Sequence, residues 1–98
     1  MEKSLRNTDS NGAKKNVKDI VFWGDGDTFK LISKASSKQE GWMKSTKAMQ
    51  IDGVGCVIQI TTQQWDNVSE TSSFVPNTKI HENKDSEGNV TSRKIISM

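Results

Sequence analysis

Two stretches of strict two-residue alternation, one on each side of an Asp-Gly pair, constrain this chain more than any other feature. Before the pair, residues 42–51 set Met43, Ser45, Lys47, Met49 and Ile51 against Trp42, Lys44, Thr46, Ala48 and Gln50. After it, residues 56–64 set Cys56, Ile58, Ile60 and Thr62 against Val57, Gln59, Thr61 and Gln63. Neighbouring strand residues face opposite sides of a sheet, so this is the period of a half-buried strand, not of a helix. Asp52-Gly53 supplies the reversal, because glycine enters positive φ without a steric penalty. The spacing therefore predicts an antiparallel pair over residues 42–64.

The remaining segments extend the same reading. Residues 17–23 (VKDIVFW) form a β-branched and aromatic run that stops at Gly24-Asp25-Gly26-Asp27, which reads as strand then turn. Residues 28–33 alternate as a second strand would. Residues 68–75 alternate up to Pro76, the only proline, which marks a strand end or an edge because it cannot donate to a ladder. Residues 78–82 and 90–96 flank a polar connection and predict a second hairpin. The expected fold is all-β: a small antiparallel sandwich, rolled sheet or barrel of about six strands. One short helix stays open within residues 28–50, where Lys, Ser, Ala and Gln are frequent and Asp27 is a candidate N-cap.

Ahead of this domain, residues 1–16 mix polar side chains with one large aliphatic, Leu5, and are expected to be a disordered tail. The β-rich domain then spans residues 17–98. Only 32% of the chain is hydrophobic, which predicts a thin core or one completed by a partner, self-association included.

Chemistry-bearing residues are sparse. Cys56 and His81 are the only cysteine and the only histidine, too few for the usual tetrahedral zinc site. Cys56, at a strand start, reads as a packed thiol, and His81 as a surface residue. Asp25 and Asp27 alternate as hard-cation ligands do, but no closing glutamate follows at calcium-loop spacing. Neither GxxxxGK[ST] nor GxGxxG, GxSxG or HExxH is present. No catalytic residue, metal site or small-molecule cofactor is therefore expected, and the chain reads as non-enzymatic.

Charge narrows the partners. Fourteen basic and twelve acidic residues give a net charge of +2, too balanced for whole-molecule attraction to nucleic acid. Its distribution is uneven. Residues 30–50 hold five lysines against Glu40, a local +4; residues 51–77 hold Asp52, Asp66 and Glu70 and no base, a local −3. Lys30, Lys34, Lys38, Lys44 and Lys47, with Trp42, make the candidate face for single-stranded nucleic acid, with residues 34–38 read as a phosphate-contacting loop. Trp65, beside Asp66 and Asn67 at a strand break, is the candidate protein-binding anchor. No stretch is long and apolar enough for a membrane span, and a lone thiol suits a reducing compartment, so a cytoplasmic setting is expected.

Residues 22–80, most of all GWMKSTKAMQIDGVGCVIQITTQQ at 41–64, resemble small accessory proteins of tailed bacteriophages and prophages. The resemblance implies a bacterial host cytoplasm and binding of a host protein, a phage protein or nucleic acid. It implies no active-site residues.

Overall fold

The computed structural model describes residues 10–15 and 17–98. Six strands carry the fold: β1 (Lys30–Ser37), β2 (Trp42–Ile51), β3 (Gly55–Gln64), β4 (Asn67–Pro76), β5 (Thr78–Lys84) and β6 (Val90–Ser97). A single-turn helix, α1 (Ser10–Lys14), precedes them. Strands β1 to β4 form one antiparallel sheet in sequence order, and β5 pairs with β6 in a second. The all-β expectation is met, by two open sheets and not by a closed barrel.

The alternating segments behave as their period requires. Every residue of β2 pairs with β3 without a slip, from Trp42 opposite Gln64 to Ile51 opposite Gly55. Residues of one parity share a face. Face A carries Trp42, Lys44, Thr46 and Ala48 with Gln64, Thr62, Ile60, Ile58 and Cys56; face B carries Met43, Ser45 and Lys47 with Gln63, Thr61 and Gln59.

Each face is covered over a different half. On face A the β5–β6 hairpin touches β1, β2 and β3 and accompanies the complete burial of Ala48 and Cys56. On face B the buried residues are Met43, Ser45, Thr61 and Gln63, at the opposite end of the strands. Three of these four are polar, so this core is as thin as the composition predicts. Gln63 donates its side-chain amide to the Trp65 carbonyl at 2.7 Å, in keeping with the cost of burying an amide unpaired.

Three expectations need correction. Residues 17–23 form turns and irregular chain, not a strand. Val21 and Trp23 are 85% and 96% exposed; β-branched and aromatic side chains favour a strand only where a neighbour offers a ladder and a surface. Residues 34–37, read as part of a loop, belong to β1, because Lys34, Ala35, Ser36 and Ser37 pair with Ser45, Lys44, Met43 and Trp42. No helix forms within residues 28–50; pairing on β2 overrides the local helical preference there. The expected tail over residues 1–16 lies mostly outside the described residues. Within it, α1 is tied to the 24–27 turn, with the Ser10 amide and Oγ donating to the Asp27 carboxylate at 2.6 and 2.8 Å.

The two sheets are joined by one residue, Asn77, whose φ is +59°. Its amide donates to the Val54 carbonyl, and its carbonyl accepts from Met98. Asparagine tolerates the left-handed region and β-branched residues do not. Asn77→Val is expected to cost about 1–2 kcal/mol, whereas Asn77→Gly should be nearly neutral, as read by urea unfolding.

Arg93 pins the hairpin to the larger sheet. Its Nε donates to Glu82 at 2.7 Å and its Nη1 to the Leu31 carbonyl at 3.1 Å. The hydrogen bond from Arg93 holds the Glu82 carboxyl below its ordinary range. At the hairpin tip, the Asn89 amide does the same for Asp85, with help from Glu87. Both folded-state values are depressed, so both carboxylates contribute stability that is complete above the unfolded carboxylate range, near pH ~4, and is lost as pH falls through the folded values. Glu82→Gln is expected to flatten the acid limb of a stability profile from pH 6 to pH 2, about as far as Arg93→Met does.

Candidate functional site

Of the two edges of the four-stranded sheet, one is blunted and one is open. The β1 edge carries Lys30 and Lys34, slips register between Leu31 and Ser33, and has its Leu31 carbonyl occupied by Arg93. Lysines, bulges and covering contacts are the usual protections of an edge strand. Among the described residues the β4 edge has none of them. All ten residues of β4 are exposed, and its only charged side chain is Glu70, which accepts a hydrogen bond from Thr61 at 3.3 Å. Pro76 closes the strand without interrupting it.

The outward-facing groups of β4 follow from the turn before it. Only Trp65 and Asp66 separate Gln64 from Asn67, which are partners in the ladder; a two-residue connection makes them the pair that exchanges both hydrogen bonds. Alternation then turns Asn67, Ser69, Thr71, Ser73 and Val75 toward β3. Val68, Glu70, Ser72 and Phe74 direct their amides and carbonyls outward. Two observations agree: the Asn77 amide reaches back to Val54, and Pro76, which has no amide hydrogen, occupies an outward position. Val68 and Phe74, 54% and 48% exposed, lie on face B beside this row.

The uncovered half of face A is a shallow trough. Trp42, Lys44, Thr62, Gln64, Asn67 and Ser69 line one part of it, and Ser33, Ala35, Thr46 and Ile60 continue it toward β1. The Lys44 ammonium lies 5.9 Å from the centre of the Trp42 ring, and the Trp42 indole donates to Glu40 at 3.0 Å.

The structure does not bring the candidate lysines onto one face. Lys44 shares face A with Trp42, while Lys34 and Lys47 fall on face B. Burial, then the charge of Lys47, pushes the Lys34 ammonium below its ordinary value. Lys30 is paired with Asp25 at 2.7 Å, and Lys38 sits in the β1–β2 connection. Asp25 and Asp27 are thereby engaged with Lys30 and Ser10 respectively. Among the described residues no three His, Cys, Asp or Glu side chains gather as a metal site would need. Cys56 is buried, and His81 meets Asn83 at 3.2 Å on the exposed side of the hairpin.

Trp65 remains 62% exposed, with one side of its ring set on the β1–β2 turn. Its amide donates to the Gly41 carbonyl at 2.7 Å, and a Cβ on Gly41 would stand 2.5 Å from the ring. Its φ of +53° is unusual for so bulky a residue. Val68, Glu70, Ser72 and Phe74 are absent from the lysine and tryptophan set read from the sequence. The signal for them was the base-free interval 51–77, which marks an unguarded edge once β4 is known to lie at the border.

These features define a small antiparallel β protein whose described residues leave one sheet edge unguarded and one half of face A open. The chain belongs to the Lockin family, whose model matches residues 1–96. Comparison with curated proteins finds no match, and comparison with solved structures finds none either. Among the described residues no helix is long and apolar enough to cross a membrane.

Proposed function

We propose that this protein is a non-enzymatic interaction module that takes up an extended polypeptide segment as a fifth strand along β4. The observation that carries this reading is a ten-residue border strand, exposed throughout and free of lysine. Strand addition draws affinity from main-chain hydrogen bonds and selectivity from alternate side chains; here Val68 and Phe74 offer apolar contact on one side. In the phage setting that the sequence resembles, the segment would belong to a host or phage protein in the bacterial cytoplasm.

Peptides selected by display against the intact chain are expected to shift the amide resonances of Val68, Glu70, Ser72 and Phe74. Ser72→Pro deletes one outward donor without touching the ladder to β3, and is expected to weaken such peptides by about tenfold or more. Binders that instead perturb Trp42 and Lys44 would refute the edge reading in favour of the trough. Single-stranded nucleic acid is the competing occupant there; a titration at low salt showing binding that weakens steeply with added salt would identify it.

A further inference from the structure

We infer that β4 also pairs with β4 of a second copy, antiparallel across a two-fold axis at Thr71. This rests on the open-edge reading above and adds a partner and a register to it.

The register follows from the row of outward groups. A two-fold axis normal to the sheet pairs residues of the same face, which leaves three central alignments. With Glu70 on the axis, two carboxylates stand directly opposite one another, which is destabilising. With Ser72 on the axis, Val68 stands opposite Pro76, which has no amide hydrogen to give. With Thr71 on the axis, Val68 faces the second copy's Phe74 and Glu70 faces its Ser72, and the symmetry repeats both pairs. All four outward residues of each copy then donate and accept. Both Val–Phe contacts fall on face B, where these side chains are exposed on the monomer. Cross-strand aromatic and β-branched pairs are among the favourable ones in sheets.

β4 carries one charge in ten residues; in this register Glu70 stands opposite a serine, with the second copy's Glu70 on the diagonal and not directly across. The alternative of β4 on the β1 edge of a neighbour would be heterologous and would propagate as a filament, but that edge is bulged and its Leu31 carbonyl is occupied. A contact of one strand per copy lies at the small end of interfaces, under about 1,200 Å², so the dimer should be weak and concentration-dependent.

Sedimentation equilibrium of the intact chain from about 10 µM to 1 mM is expected to show a monomer–dimer equilibrium in that range, and Ser72→Pro to shift it at least about tenfold toward monomer. Thr71→Cys reads the register directly. Two Thr71 positions on the axis form the closer type of strand pair, about 4.5 Å between Cα atoms, within reach of a disulfide. Mild oxidation of Thr71→Cys should therefore give a covalent dimer much faster than Ser69→Cys or Ser73→Cys, whose symmetry mates stand several residues apart. A chain that stays monomeric at 1 mM yet still binds peptides on β4 overturns the dimer and leaves the open-edge reading standing. Loss of both removes both. Filaments, or equally fast crosslinking of all three cysteine variants, overturn the register and the isologous pairing.

Discussion

Replacing Gly55 with alanine is expected to leave the chain on the margin of stability at room temperature, with up to about half of it unfolded. Gly55 opens β3 opposite Pro76. A Cβ there would collide with the Val75 carbonyl oxygen and stand 2.9 Å from the Pro76 Cα. Both atoms belong to the β4 backbone, so neither can move aside without opening the end of the β3–β4 ladder. The damage would spread, because the adjoining Val54 carbonyl holds the amide of Asn77, the single residue that joins β4 to the β5–β6 hairpin. A loss of about 3 kcal/mol is expected, at the upper end for overpacking. In a domain whose core supplies only ~3–5 kcal/mol, that consumes most of the margin. Unfolded-state resonances beside the folded ones in an amide correlation spectrum and a sharply lowered urea midpoint would be the signs. A variant whose urea midpoint stays within about 0.5 M of the parent would show that β4 yields more easily than its backbone contacts imply.

The second large effect is expected at Gly41, and there the cause can be isolated. Gly41 has φ of +73°, and an added Cβ would meet the Trp65 ring at 2.5 Å. Two costs combine in Gly41→Ala: about 1 kcal/mol for a left-handed alanine and about 2 kcal/mol for displacing the indole. Removing the ring should remove the second cost alone. In a Trp65→Ala background the alanine is expected to cost only about 1 kcal/mol, a coupling large enough for a double-mutant cycle to resolve. Additive effects would mean that the ring does not clamp the β1–β2 turn. The clamp bears on binding as well, since Trp65 leads into Asn67 and the start of β4. Peptide affinity at Val68 should therefore fall in Trp65→Ala even where the fold survives.

Much of the fold was readable from local pattern. The strands over residues 42–51 and 56–64, the turn at Asp52-Gly53, the strand ending at Pro76 and the final hairpin all appear near their expected positions, because side-chain alternation and turn chemistry act between near neighbours. Residues 17–23 mislead for an instructive reason. Their composition fits a strand, yet the sheet stops at β1 and offers them no ladder. Residues 34–37 mislead in the opposite sense, since a serine-rich segment becomes a strand once β2 supplies partners. Trp65 could be singled out as exposed from its place at a break; its contact with Gly41, 24 residues away in sequence, could not.

Left to itself, the sequence determined the two-residue period, the positions where the chain reverses, the scarcity of apolar core and the absence of basic residues from 51 to 77. What it left open, the tertiary structure decided: which strands lie at the borders, which side of the sheet each lysine takes, and which half of each face is covered. Alternation is a property of adjacent residues, whereas an edge is defined by the neighbour a strand lacks. Only the order of strands in space reveals that β4 lies at a border and turns a row of amides and carbonyls away from β3.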